Sequence, residues 1–250
     1  MPTSPAVPPA PPHVDRPAVL PAAVLWDMDG TLVDTEPCWM AAERLLVAEH
    51  GGTWGQEDAE AVVGLPLTDG AAALQAAGVA LPVPEIVERM LDHVIATLDE
   101  HADWQPGARE LLVALRDAGV PCALVTMSYR RLAEAVLRSA PDGAFSVLVT
   151  GDEVTHGKPH PEPYLTAAAA LGVEVTECVA IEDSPPGIGS ALASGARTLG
   201  VQHIVPVDPR PGLSRVGSLD GVTLDDLARL RAGEVIDRLP APSSSAAGAP

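Results

Sequence analysis

The sequence predicts an α/β fold: a doubly wound parallel sheet with an all-helical insertion after its first strand. Two observations support this prediction. Between residues 106 and 200, short apolar runs alternate with stretches of helical periodicity, which is the order of parallel strands joined by right-handed helical crossovers. Between residues 35 and 101 the periodicity is helical throughout, and no run is typical of a strand.

The core elements follow from the apolar runs and the residues that interrupt them. The first strand is expected at 22–26, where an apolar run ends abruptly at acidic residues. A helix is expected at 106–118, because its leucines share one face and Gly119 ends the pattern. Ser184 followed by Pro185 is a typical N-cap and first helical residue. The remaining strands are expected at 120–126, 145–149, 178–181 and 196–200, and the remaining helices at 129–138, 161–171 and 185–194.

The insertion divides the chain into a core and a cap. Its helices are expected at 39–50, 56–63, 68–77 and 84–100. We therefore expect a helical cap at 36–105 over a discontinuous core of residues 22–35 and 106–235, with hinges near Thr35 and Gln105. Residues 1–21 are rich in proline, and residues 236–250 are mostly Ser, Ala, Pro and Gly. Because such segments cannot bury enough apolar surface, we expect a disordered leader and a disordered tail.

Composition and charge exclude several classes of function. The formal net charge of −19 over 250 residues argues against nucleic acids and anionic membranes as partners. The three cysteines are far apart and form no Cys-x-x-Cys pair, so neither a zinc site of that type nor a disulfide framework is expected. No apolar run approaches the ~18 residues of a membrane span, and the N-terminus lacks the pattern of a secretory signal. We therefore expect a cytoplasmic protein, either a monomer or a weak dimer.

Polar residues follow the predicted strands at the edge where such sheets bind ligands. Lys158 is the only lysine, since the other fourteen of the 15 Lys+Arg are arginine. It lies in a stiff, proline-flanked loop, where a compact ammonium indicates a specific anion, and the anion expected is phosphate. Gly30 would let backbone amides approach that anion closely. The residues that follow the four strands are, in order, Asp27-Met28-Asp29-Gly30-Thr31; Thr126, Met127 and Ser128; Gly151, Asp152 and then Lys158; and Glu182, Asp183 and Ser184.

These residue types support phosphoryl transfer. Asp27 and Asp183 could hold Mg²⁺, which binds one or two carboxylates together with phosphate oxygens and water. When metal and lysine partly neutralise a phosphoryl group, a carboxylate can attack it and form an aspartyl phosphate. Asp29 could protonate the leaving alkoxide and later activate water. Thr126 and Lys158 would bind the equatorial oxygens in the transition state.

Four segments, in chain order, resemble the four motifs of the haloacid dehalogenase-like superfamily. They are Asp27-Met28-Asp29-Gly30-Thr31-Leu32-Val33-Asp34, Thr126, Gly157-Lys158-Pro159 and Ile181-Glu182-Asp183-Ser184. The match covers about residues 22–200. It is similar to the β-phosphoglucomutase/phosphatase-like branch, in which an α-helical cap follows the first motif of a Rossmann-like core.

The resemblance implies a role for each matching residue. Asp27 would be the nucleophile and Asp29 the general acid/base, while Thr126 and Lys158 would contact the phosphate. Mg²⁺ would be coordinated by Asp27, by Asp183 and by the backbone carbonyl of Asp29. Glu182 would support the metal through water.

The resemblance also favours one reaction within the family. Dehalogenases of the family lack the aspartate that stands here as Asp29. Phosphonatases use a cap lysine, and β-phosphoglucomutases carry an early cap histidine and a cap lysine; Trp39 stands where that histidine is expected, and the cap has no lysine. The expected function is Mg-dependent hydrolysis of a small phosphorylated metabolite, a sugar phosphate or similar monoester, through an aspartyl phosphate. A phosphosugar mutase and a non-catalytic phosphate-binding or receiver-like protein are the alternatives.

Several other residues allow more than one interpretation. Asp152 is either a charge partner that orients Lys158 or an acidic residue of a surface loop, and the flanking His156 and His160 are interpreted as solvated loop residues. Gly187-Ile188-Gly189 resembles the start of a dinucleotide fingerprint, but the third glycine is missing. Five cap residues could line a substrate pocket or form the cap's own core: Cys38, Trp39, Met40, Trp54 and Leu65.

Overall fold

The computed structural model describes residues 19–62 and 65–239. Within these residues, six parallel strands form one sheet in the order β3-β2-β1-β4-β5-β6. The strands are β1 (Val24–Trp26), β2 (Cys122–Val125), β3 (Val147–Val149), β4 (Val179–Glu182), β5 (Arg197–Val201) and β6 (Leu213–Val216). The α-helices are α1 (Glu36–Glu49), α2 (Gln56–Val62), α3 (Leu67–Ala76), α4 (Val83–Glu100), α5 (Ala108–Asp117), α6 (Arg130–Ser139), α7 (Glu162–Leu171), α8 (Pro185–Ser194) and α9 (Leu224–Arg231). The predicted fold class is confirmed.

Strand β1 lies between the two halves of the sheet: β2 and β3 follow on one side of it, and β4, β5 and β6 follow on the other. Trp26 pairs with Leu124 of β2 on one side and with Ile181 of β4 on the other. The carboxyl ends of β1, β2 and β4 are therefore neighbours, and ligands bind at such a switch point in open α/β sheets. The residues that follow these three strands leave the sheet at one edge.

The sheet is buried on both faces, as its apolar strands require. Because side chains alternate along a strand, Val24 and Trp26 face the larger hydrophobic cluster, which continues into α1, α3 and α4. Leu25 faces a second cluster around Tyr164. Many of the buried residues in this second cluster are alanines, which leave room for α7 and α8 to approach the sheet: Ala23, Ala123, Ala167, Ala168, Ala180, Ala191 and Ala196.

In the described residues, the helical insertion contacts the sheet domain through its two connecting segments and through α4. The two connecting segments pair with each other: the Asp34 amide donates to the Asp103 carbonyl, and the Gln105 amide donates to the Leu32 carbonyl, both at 2.8 Å. In addition, α4 packs against α6, where Arg131 forms ion pairs with Glu88 and Asp92 and Arg138 pairs with Asp99. The hinge positions expected near Thr35 and Gln105 thus border a short paired ribbon.

The structure differs from expectation near the C-terminus. The sequence pattern does not predict β6 or α9, although Thr223 and Asp226 form a capping box at the start of α9. The tail expected at 236–250 is held to the core through residue 239, because Ile236 is buried and Asp237 pairs with Arg215 at 2.7 Å. The rest of that segment lies outside the described residues, as does the expected leader up to residue 18; Pro21 is already buried.

In residues 19–62 and 65–239, no helix has the length and apolar character that crossing a bilayer needs.

Candidate active site

Lys158 lies at the centre of the site. Its ammonium donates to Oδ1 of Asp27 at 2.6 Å, to Oε1 of Glu182 at 2.6 Å and to the Val125 carbonyl at 2.9 Å. These three acceptors match the three N–H donors of the ammonium. Only 5% of the Lys158 side chain is exposed. Burial lowers the pKa of Lys158, but the charges of Asp27 and Glu182 outweigh burial and raise this pKa overall, so the ammonium stays protonated.

Asp152 does not take part in this arrangement. It accepts a hydrogen bond from the backbone amide of Arg130 at 3.1 Å. The interpretation of Asp152 as the charge partner of Lys158 is therefore wrong.

Glu182 anchors the lysine from the end of β4. Its Oε1 accepts from Lys158 and from the Tyr164 hydroxyl, the latter at 2.9 Å. Its Oε2 accepts three hydrogen bonds of 3.1 Å, from the Asp183 amide and from the amide and hydroxyl of Ser184. Because five donors already occupy both oxygens, Glu182 acts here as the partner of Lys158, which differs from the water-mediated metal support implied by the resemblance.

Asp29 is held by three hydroxyl groups. Thr35 donates to Oδ1 at 2.6 Å, while Ser128 at 2.8 Å and Thr126 at 3.1 Å donate to Oδ2. All three donors are buried. The Thr126 hydroxyl also accepts from the Ser128 amide at 2.9 Å, so in this structure Thr126 orients the candidate acid/base. These hydrogen bonds fix the orientation of the Asp29 carboxylate, which is two residues after Asp27 in the sequence.

Three carboxylates form a cluster that could hold a cation. One oxygen from each of Asp27, Glu182 and Asp183 lies within 4.8 Å of the other two. Three carboxylates face one ammonium, which leaves an excess of negative charge in a buried space. Burial, reinforced by the charge of Glu182, raises the pKa of Asp27 to about 7. Burial and the charge of Asp27 likewise raise the pKa of Asp183 well above its usual value.

The carboxylate oxygens in this cluster are suitable ligands for a hard divalent cation. Thr31 donates to Oδ1 of Asp183 at 3.2 Å, and Lys158 occupies Oδ1 of Asp27. In the part of the chain that the structure describes, no donor is bonded to the second oxygen of Asp27 or of Asp183. A cation on these two oxygens would offset the charge excess, and two carboxylates completed by water and phosphate oxygens suit Mg²⁺.

Two glycines allow the carboxylates to take these positions. Gly30 has a φ of +83°, and a Cβ there would lie 2.3 Å from Oδ2 of Asp183. A Cβ on Gly187 would lie 1.7 Å from Oε1 of Glu182. The resemblance of Gly187-Ile188-Gly189 to a dinucleotide fingerprint therefore has a different cause: Gly187 makes room for the Glu182 carboxylate at the start of α8.

We predict that Gly187→Ala reduces kcat by roughly tenfold or more, because the new methyl group must displace Glu182 and with it Lys158. Gly189→Ala is the matched control in the same helix, since the nearest atom to a Cβ there is 3.6 Å away. The measurement is steady-state hydrolysis of p-nitrophenyl phosphate alongside a thermal melt of each variant. Equal losses of activity in both variants would contradict this explanation, because they would show that α8 does not tolerate alanine at either glycine, whether or not the methyl group meets Glu182.

The sequence pattern does not indicate several residues of the site. Tyr164 lies in an alanine-rich helical run that reads as ordinary core. Thr35 is a short polar residue next to a predicted helix, which gives it no apparent role in the site. Ser128 lies at the end of a predicted strand, but only the folded arrangement shows that it donates to Asp29. Glu36 follows Thr35 at the start of α1, where burial and the nearby charge of Asp29 raise its pKa to about 7.

The cap residues mostly have a packing role. Cys38, Trp39 and Trp54 are partly buried against the larger hydrophobic cluster, and the Trp54 indole N–H donates to Glu43 at 2.9 Å. Leu65 is 47% exposed. These contacts favour the interpretation that Trp54 belongs to the cap's own core.

Comparison with known proteins identifies the family. A model of haloacid dehalogenase-like hydrolases matches residues 21–195. The chain belongs to this hydrolase family. Hexitol phosphatase A of Escherichia coli (strain K12) is 34% identical over 208 residues, which are 78% of this chain and 87% of that relative. The phosphorylated carbohydrates phosphatase of Thermotoga maritima is 33% identical over 187 residues, 72% of this chain and 85% of that protein.

A solved structure also agrees with the fold. The crystal structure of CbbY from Rhodobacter sphaeroides in complex with phosphate matches with a TM-score of 0.73 and 26% identity. The match covers 80% of this chain and 95% of CbbY. The resemblance noted from the four motifs is thus confirmed, and hydrolases of this family use a divalent metal.

Proposed function

We propose that this hydrolase is a Mg²⁺-dependent phosphatase that acts on the phosphate monoester of a sugar or sugar alcohol. The observation that carries the proposal is the pair Asp27 and Asp29. Asp27 accepts a hydrogen bond from the Lys158 ammonium, and Asp29 accepts hydrogen bonds from three hydroxyl groups. A second, oriented carboxyl group is needed where the leaving group is an alkoxide, because that group must supply the proton. The names of the relatives, hexitol phosphatase and phosphorylated carbohydrates phosphatase, support the substrate class.

Each step of the proposed hydrolysis uses particular residues of the site. A carboxylate oxygen of Asp27 attacks phosphorus, the bond from phosphorus to the ester oxygen breaks, and Asp29 donates a proton to that oxygen. An aspartyl phosphate on Asp27 results. Asp29, now ionised, takes a proton from water, which attacks the phosphorus and restores the Asp27 carboxylate while releasing phosphate. Lys158 balances the negative charge that develops on the phosphoryl oxygens.

Asp27 and Asp183 would hold the metal, which supplies further neutralisation of the phosphoryl oxygens. Gly30 keeps the space beside Asp183 open for this purpose. The Asp29 carbonyl is proposed as an additional ligand on the basis of the family motif.

The helical segment 36–105 is proposed to act as a cap that covers the core and excludes water during phosphoryl transfer. Thr35 supports this division of the chain, because it donates to Asp29 and directly precedes α1. Any movement of the cap about the paired ribbon would change the position of Thr35 and Glu36 relative to Asp29. The cap therefore lies where it can couple closure to the orientation of the acid/base.

The test is phosphate release from a panel of hexitol phosphates, hexose phosphates and p-nitrophenyl phosphate by protein stripped with EDTA. We expect activity only after Mg²⁺ is added, with the highest kcat/KM on a sugar or polyol monoester. Full activity in EDTA would contradict the metal requirement. Turnover restricted to p-nitrophenyl phosphate, with none on the carbohydrate esters, would contradict the substrate class.

A further inference from the structure

The loop that carries Lys158 has a second group of metal-binding side chains on its outer surface. His156, His160 and Glu162 each offer one ligand atom, and these atoms lie within 4.8 Å of one another. The two imidazoles are accessible, with 61% and 51% of their side chains exposed. Their ring centroids are 4.7 Å apart. None of these residues takes part in the mechanism proposed above.

The separations suit a small cation. Oε2 of Glu162 is 2.9 Å from Nδ1 of His156 and 4.0 Å from Nδ1 of His160. A tetrahedral Zn²⁺ with metal–ligand distances of about 2.1 Å needs ligands roughly 3.4 Å apart. The observed distances lie on either side of that value. Because both imidazoles are on exposed side chains, small rotations would bring all three atoms to one ion.

The three groups are also in a suitable chemical state. Glu162 accepts from the amides of Thr155 at 2.7 Å and His156 at 3.0 Å. The hydrogen bond from the Thr155 amide is the largest cause that lowers the pKa of Glu162, so this carboxylate is ionised and fixed in place. Nδ1 of His160 accepts from the Glu162 amide at 3.2 Å. Nδ1 therefore carries no proton, as metal binding requires, and its single lone pair must turn from the Glu162 amide to the ion when a metal binds.

We propose that His156, His160 and Glu162 form a binding site for a transition metal ion such as Zn²⁺, with water completing the coordination. Two imidazoles and one carboxylate suit Zn²⁺, Ni²⁺ or Cu²⁺, whereas Mg²⁺ prefers oxygen ligands alone. The site is thus distinguished by its chemistry from the carboxylates of Asp27 and Asp183. An ion at this position would tie together the two sides of the Lys158 loop.

The test is calorimetric titration of the full-length protein with Zn²⁺ in the presence of excess Mg²⁺, which occupies the carboxylate site. His156→Gln and His160→Gln should each weaken Zn²⁺ binding roughly tenfold or more, since even indirect partners of a metal contribute that much affinity. His101→Gln is the matched control. His101 pairs with Asp103 at 2.8 Å and is 78% exposed, but in the described residues this pair belongs to no three-ligand group.

A second measurement guards against a trivial loss of fold. Zn²⁺ should raise the Tm of the wild type and of His101→Gln, and at the same Zn²⁺ concentration it should raise the Tm of the other two variants less. Each variant should melt as the wild type does in EDTA. Equal Zn²⁺ affinity in all four proteins would overturn the proposal, because binding would then reside on the catalytic carboxylates or on scattered surface groups. A loss in His101→Gln equal to that in His160→Gln would overturn it as well.

Discussion

Asp27→Asn should abolish turnover, with kcat falling by roughly 10⁴-fold or more, as expected when a covalent nucleophile is removed. The amide has nearly the shape of the carboxylate, and its oxygen can still accept from Lys158 at the position where Oδ1 of Asp27 does so at 2.6 Å. The fold and the lysine should therefore stay in place while the attacking oxygen is lost. The defect should be chemical and should not reflect unfolding.

The measurement combines steady-state phosphate release in Mg²⁺ with detection of the phosphoenzyme by mass spectrometry after acid quenching. The wild type should show a base-labile phosphate on Asp27, and Asp27→Asn should show none. Asp152→Asn is the control, because Asp152 also follows a strand at this edge but bonds to the Arg130 amide instead of the site. If Asp27→Asn retained activity within tenfold of the wild type, another residue would have to be the nucleophile.

The parts of the fold that could be predicted are those with strong local signals. The bounds of α8 agree with the expectation, because Ser184 accepts from the Gly187 amide and Pro185 begins the helix. Strand β6 could not be predicted, because it contains Arg215, which is only 5% exposed. The two terminal nitrogens of Arg215 donate to the Val207 carbonyl and to Asp237, both at 2.7 Å, partners that lie outside the strand. A polar residue with distant partners breaks the apolar pattern from which buried strands are recognised.

The same distinction applies to the site. Asp27, Thr126 and Asp183 could be placed together, because each directly follows a strand and parallel strands end at one edge. The contact of Lys158 with Glu182 and that of Asp29 with Thr35 could not be assigned in this way. Glu182 reaches Lys158 only because β4 is adjacent to β1, and Thr35 reaches Asp29 through the turn that leads into the cap. Such contacts depend on tertiary placement, which residue spacing does not encode.

Lys158→Arg should lower kcat by at least roughly 10²-fold, comparable with the loss of one oriented transition-state donor. The ammonium is bound by three acceptors at 2.6–2.9 Å in a pocket where 5% of the side chain is exposed. A guanidinium keeps the charge, but it is longer, planar and forked. To enter this space it must displace Asp27 or Glu182, and either shift moves a group that the reaction needs.

The matched control is Arg131→Lys, the reverse exchange at an exposed position. Arg131 is 50% exposed and pairs with Glu88 and Asp92 on α4, and exposed ion pairs of this kind contribute little, so kcat should stay within about twofold. Both variants are measured at saturating Mg²⁺, with thermal melts to confirm the fold. A Lys158→Arg enzyme as active as the Arg131→Lys enzyme would show that the position requires only positive charge. A reduced rate confined to Lys158→Arg, with an unchanged Tm, would instead show that the reaction depends on the compact ammonium and its three short contacts.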